Sequence, residues 1–142
     1  MSTATALPDL KATYSRLSQV YLVDRIEPCL EFWVERLGFE IRLQVEGTAH
    51  LEFVILGRDG AEVIYRTADS VNLDVPGLVD TEHQPWDIIY VVVDNLEDLL
   101  PRLGAVDVVV PLRESGFGGQ EIYVTEPSGR IVALAGPAAS VA

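Results

Sequence analysis

The sequence predicts an α+β fold: two βαβββ modules, each a sheet with its helix covering one face. Three observations predict it. The chain repeats itself, with Val23-Asp24 matching Val93-Asp94 at an offset of 70, Arg36-Leu37-Gly38 matching Arg102-Leu103-Gly104 at 66, and Asp59-Gly60 matching Ser128-Gly129 at 69. Each copy carries one helical stripe followed by three strand-like runs. And 49% of the 142 residues are hydrophobic, enough to bury one shared core. The drift in the offsets fits a shorter helix and a longer loop in the second copy.

Residues 1–15 stand outside the repeat as an N-terminal arm. The first module, 16–67, opens on "SQVYLVD", an apolar strand. "EPCLEFWVERL" follows, with Leu30, Trp33, Val34 and Leu37 at the spacing of one helix face. Pro28 suits the first turn, where its missing N–H leaves no bond unmade. Gly38 suits the position after the last turn, where the backbone turns left-handed. "FEIRLQVE", "AHLEFVILG" and "AEVIYR" then read as strands, with "RDG" as a hairpin signal before the last. A polar, proline-containing linker spans 68–84.

The second module, 85–136, repeats this order: the strand "DIIYVVVD", a helix on Leu96, Leu99, Leu100 and Leu103, then "AVDVVVPL", "GQEIYVTE" and "RIVALAG", with the turn "EPSG" between the last two. Pro101 predicts a helix that is kinked or begins late. Residues 137–142 form a tail. The helices cover one face of each sheet, which leaves the opposite faces for another purpose.

Twenty-two acidic residues against ten basic ones give a formal charge of −12. A field of that sign repels phosphate backbones, which argues against a nucleic-acid partner, and attracts cationic small molecules. Solubility alone is a sufficient reason for it. No apolar run reaches the roughly 18 residues of a membrane span. "MSTATALPDL" lacks a basic region followed by an apolar stretch, so a cytoplasmic location is expected. The single cysteine, Cys29, excludes an intramolecular disulfide and a multi-cysteine zinc site. It stands near the start of the first helix, where the dipole could lower a thiol pKa; a packed cysteine is the plainer reading.

"EFWVERLGF" in the first module, with "VDNLEDLLPRL" and "EPSGRIVAL" in the second, resembles the vicinal oxygen chelate superfamily. This superfamily contains glyoxalase I, extradiol dioxygenases, fosfomycin-resistance enzymes and bleomycin-resistance proteins. The resemblance covers about residues 16–136. It implies that the paired modules form a curled mixed-sheet cup with the helices on the outer face, often completed by a second chain, hence a homodimer. It also implies, for members that are enzymes, a divalent metal held from the first and last strand of each module, usually by His, Gln or Glu. Those positions fall here on Ser18, on Glu62 or Ile64, on Ile88 and on Ala133. A one-residue slip would recruit Gln19 and Asp87, yet "RIVALAG" has no donor at either parity. His50 and His83 lie off the ligand strands. No metal and no cofactor are therefore expected.

The cup still has a lining. Alternation groups Ser18, Val20 and Leu22 on one strand, Glu62, Ile64 and Arg66 on another, Ile88, Tyr90 and Val92 on a third, and Ile131 and Ala133 on a fourth. Apolar walls with Tyr90, Glu62 and Arg66 as polar handles are the usual make-up of a small-molecule pocket; a closed, packed core is the alternative. The glycine-rich loop "RESGFGGQE" carries Phe117. It is similar to the loop that carries a drug-clamping aromatic in bleomycin-resistance proteins. Trp86 falls at the pocket rim or a dimer seam, and Trp33 in the core.

The expected function is thus a metal-independent, bleomycin-resistance-like protein that sequesters an aromatic or cationic compound in an apolar cup, as antibiotic-resistance proteins do. The alternative is a lyase, isomerase or dioxygenase with a non-standard metal site, or with Glu62 as acid–base. A third reading is a partner module whose cup is closed.

Overall fold

The computed structural model describes residues 7–14, 18–76, 88–114 and 119–137. In the first module β1 (Val20–Val23) pairs in parallel with β4 (Ala61–Thr67). That strand joins β3 (Leu51–Arg58), and β3 joins β2 (Glu40–Glu46), both antiparallel, giving the order β1-β4-β3-β2. The second module repeats the pattern with β5 (Ile88–Val92), β6 (Val108–Glu114), β7 (Gly119–Thr125) and β8 (Ile131–Pro137) in the order β5-β8-β7-β6. Neither four-stranded sheet is closed. The parallel first-to-last pairing makes each module a unit, because the helix between β1 and β2 must cross over the sheet.

The first helix begins as expected. Pro28 occupies its first turn in α1 (Glu27–Leu30), and Gly38 ends it at φ 79°. Between them, Glu31–Arg36 widens to a π-helix, with the Leu37 amide donating to Phe32 O at 3.0 Å. The wide turn brings Phe32 and Trp33 inward together, both 1% exposed, with their rings edge to face at 5.3 Å. This widens the expected stripe. Trp33 and Leu37 are buried, Leu30 and Val34 are only partly so, and Phe32 joins the core.

Pro101 acts differently from either expectation. The α3 helix (Leu96–Leu99) starts on time and then tightens into a 3₁₀ turn, Leu100–Arg102, with the proline in its first positions. A 3₁₀ start needs no amide from that residue. The expected linker opens with a helix, α2 (Ala68–Asp74), capped by Thr67 Oγ1 accepting from the Ser70 amide at 3.3 Å.

Both modules share one core, in which Tyr21, Trp33, Val54 and Tyr65 of the first join Ile89, Val124, Val132 and Leu134 of the second. The repeated Arg-Leu-Gly is where they interlock. Arg36 Nη1 donates to Leu103 O at 2.5 Å, while Arg102 Nε donates to Arg36 O at 2.7 Å and its Nη2 to Glu35 O at 3.1 Å. Each arginine thereby satisfies orphan carbonyls at the C-terminal end of the other module's helix, where positive charge is favoured. Gly104 has φ 58°, and a Cβ there would collide with Arg36 Nη1. Among the described residues no helix is long and apolar enough to cross a membrane.

Candidate functional site

The sheets bury one face and leave the other open. On β1, Tyr21 and Val23 are buried in the core, while Val20 is exposed and Leu22 half-buried. Register pairs Val20 with Ile64 and Leu22 with Arg66, so these four share the open face of the first sheet. Ser18 joins them: its hydroxyl donates to Glu62 Oε2 at 3.0 Å. Glu62 is exposed, and Ile64 is covered by its neighbours. Leu43 and Val45 on β2, 51% and 46% exposed, extend the apolar surface to the outer edge.

Arg66 is not the free handle that the sequence suggested. Its Nε donates to Ser70 Oγ at 3.1 Å, and its Nη2 lies 3.5 Å from Asp74 Oδ2. The guanidinium fastens α2 to the sheet, a helix that polar composition had disguised as linker.

The second sheet presents the matching set. Ile88, Tyr90 and Val92 are 52%, 55% and 70% exposed on β5. Their partners on β8 are Ile131, partly buried, and Ala133 and Ala135, both covered. Trp86 and Phe117 lie outside the described residues, as do His83 and Asp87. His50 sits in the bend before β3, where its carbonyl accepts from the Gly47 amide at 2.8 Å.

One polar group on this open face escaped the sequence reading. Glu121 on β7 pairs with Ala135, and Tyr123 pairs with Ala133, so both share the face of Tyr90. Glu121 is only 4% exposed and accepts from Arg113 Nε at 3.0 Å. Partial desolvation first, and then the Glu121 carboxylate to which it donates, raise the Tyr123 hydroxyl above its ordinary pKa. Alternation within "GQEIYVTE" is the signal that could have found this pair.

A second group missed is Glu126, which the sequence offered only as the first residue of a turn. It is 1% exposed and sits where the modules meet. Tyr65 Oη donates to its Oε2 at 2.6 Å, and Trp33 Nε1 donates in turn to Tyr65 Oη at 2.9 Å. The Arg130 amide donates to Oε1 at 2.8 Å, and the Ser128 hydroxyl donates to the same oxygen. Arg130 also reaches Leu22 O at 3.0 Å and lies 5.1 Å from the centroid of the Tyr21 ring. This network is structural: it lies on the helix side, away from the open faces.

Cys29 belongs to it, with Sγ 3.6 Å from Glu126 Oε2. Burial, reinforced by that carboxylate, pushes the thiol up to about 12, the opposite of dipole activation. Two hollows also open on the helix side. The larger, about 760 Å³, lies between Arg58–Gly60, Val91–Asp94 and Arg102. The smaller, about 290 Å³, lies between Arg36, Ala105–Asp107 and Glu126–Pro127. They flank the arginine exchange at corresponding positions of the repeat.

The donor set on the open faces does not suit a resident divalent ion. Of the four ligand positions, Ile88 and Ala133 have no lone pair, Ser18 is a weak neutral donor already bonded to Glu62, and the remaining one is Glu62 or Ile64. Among the described residues no group of three or more His, Cys, Asp or Glu is placed to hold a metal.

No family model matches the sequence, and no curated protein is recognisably similar to it. Solved structures are. TioX from Micromonospora sp. ML1 superposes with a TM-score of 0.69 at 17% identity, over 87% of this chain and 98% of that one. A glyoxalase-related enzyme from Fulvimarina pelagi gives 0.68 at 20% identity, over 86% and 88%. A glyoxalase/bleomycin resistance protein/dioxygenase from Nocardioides gives 0.61 at 17%, over 91% and 89%. The fold is that of the vicinal oxygen chelate superfamily. The resemblance carried by the repeated helix–glycine joint therefore holds for the fold.

Proposed function

We propose that this chain is a metal-independent small-molecule-binding protein that sequesters an aromatic or cationic compound against the open faces of its sheets. The observation that supports the reading is that the open face of the first strand in each module is apolar and exposed. Val20, Ile88, Tyr90 and Val92 are exposed along the first strand of each module. Monomeric proteins seldom leave so much contiguous apolar surface to water, and such surface marks a binding site. The charge of −12 favours cationic ligands among the aromatic ones.

A second copy of the chain completes the cup. The hydrogen bonds between modules run through the helices, the turn after β7 and the edge of β1, so each open sheet face points away from the shared core. The ligand is then enclosed between the open face of one protomer and that of its partner. Resistance by capture of a toxic planar compound is the role this arrangement serves.

Thermal unfolding with a panel of planar aromatic and cationic compounds tests the reading. A ligand present at 100 times its Kd adds about 2.7 kcal/mol of stability, so binders raise the melting temperature in a concentration-dependent, saturable way. A panel in which no compound does so overturns it.

A further inference from the structure

Ala133 stands on the open face of the second sheet yet is 0% exposed. Its direct neighbours on that face are Tyr90 on β5 and Tyr123 on β7. Those two strands flank β8, so the tyrosine backbones stand about 9–10 Å apart, with a single methyl group between them. A residue this small leaves room above it for the rings on either side. Tyr90 nevertheless remains 55% exposed, so its ring also presents surface to solvent. On the same face the Glu121 carboxylate is buried and held on one oxygen by Arg113 Nε, and it serves as hydrogen-bond acceptor for the Tyr123 hydroxyl. A phenol that donates inward turns its lone pairs outward, as an acceptor.

We propose that Tyr90 and Tyr123, laid over Ala133, form a stacking platform for a flat heteroaromatic cation bearing N–H donors, with Glu121 as the positioning residue that fixes the Tyr123 oxygen as acceptor. The inference rests on the capture reading above and names the ligand class and the residues that select it. Aromatic faces stack on planar rings and attract cations above them. The acceptor oxygen at one end, backed by a carboxylate in an acidic protein, prefers a donor to a second acceptor. Arg113 uses part of the acceptor capacity of Glu121, and Tyr123 uses another part, so the carboxylate acts through the phenol.

The test is fluorescence titration of the full chain with three probes of one ring system: 9-aminoacridine, a cation with N–H donors at neutral pH; neutral acridine; and the anion acridine-9-carboxylate. The wild type binds 9-aminoacridine saturably and about tenfold tighter than the carboxylate. Tyr90→Ala and Tyr123→Ala each weaken all three probes about tenfold, a typical loss for a stacking ring, and Tyr90→Phe retains affinity. Ala133→Leu props the rings apart and abolishes binding with an unchanged far-UV circular dichroism spectrum.

Glu121→Gln lowers the preference for 9-aminoacridine over acridine while leaving acridine itself unmoved, which a merely structural role does not do. Acridines that bind equally well to Tyr90→Ala, Tyr123→Ala and Ala133→Leu overturn the platform and leave capture standing. Failure of the acridines alone, while other planar compounds raise the melting temperature, overturns the proposed ligand class. Failure of every compound removes both readings.

Discussion

Removing the Glu126 carboxylate is the sharpest test of how the modules are joined. In Glu126→Ala the Tyr65 hydroxyl, at 2.6 Å, loses its acceptor inside the core, and the Arg130 amide, at 2.8 Å and partly buried, loses its own. A buried donor left unpaired costs about 1–3 kcal/mol. Ser128 is partly buried and can turn to water, so it adds little. The stranded Tyr65 hydroxyl, a smaller share from the Arg130 amide and the cavity left by the side chain put the loss at about 3–5 kcal/mol.

Glu126→Gln keeps the volume and one oxygen for the Arg130 amide, but turns an NH₂ toward Tyr65 Oη; the loss is about 1–2 kcal/mol. Urea unfolding followed by tryptophan fluorescence and circular dichroism reads both. With a slope of about 2 kcal/mol/M, the midpoint falls by about 2 M for the alanine variant and by about 0.5–1 M for the glutamine variant. Small domains have only about 5–15 kcal/mol to lose, so the glutamine variant keeps the test informative if the alanine variant fails to fold. An alanine variant whose midpoint stays within about 0.5 M of the wild type, at unchanged slope, refutes the buried node.

The remaining predictions concern the arginine exchange and the thiol. Arg36→Ala and Arg102→Ala each lower stability by about 1 kcal/mol, and the double variant shows coupling, because the two side chains bracket the same pair of helix ends. Independent, strictly additive losses contradict the interlock. Cys29 carries a folded-state pKa raised from 9.0 to about 12, so the fold prefers the neutral thiol. Its contribution is therefore complete below pH 9 and is lost as pH climbs from 9 toward 12. Cys29→Ala flattens that alkaline limb, and in the native wild type a disulfide-exchange reagent modifies Cys29 no faster than the protein unfolds. Rapid stoichiometric modification under native conditions refutes the burial argument.

The fold was legible wherever the signal was local. Gly38 and the Asp59-Gly60 turn needed only backbone geometry, and they stand at φ 79° and φ 53° as their turn chemistry requires. Alternation alone put Val20 with Leu22, Ile88 with Tyr90 and Glu62 with Ile64, and pairing registers agree. What escaped was set at a distance. The buried partners of Glu126, Tyr65 and Cys29, are 61 and 97 residues away along the chain, and the neighbours Ser128 and Arg130 read only as a turn. The π-turn answers the packing of Phe32 and Trp33 on the sheet, which helical periodicity does not encode. The α2 helix was hidden by its polar residues, although Thr67 and Ser70 carry a capping signal. The tie of Arg66 to that helix was invisible with it.

The most direct measurement is equilibrium binding of a planar cationic ligand to the same preparation before and after exhaustive treatment with a chelator, alongside its metal content. Unchanged affinity in protein holding far less than one transition metal per chain is the predicted result. Binding that disappears with the chelator and returns on adding zinc, manganese or nickel contradicts an apolar, ion-free capture site.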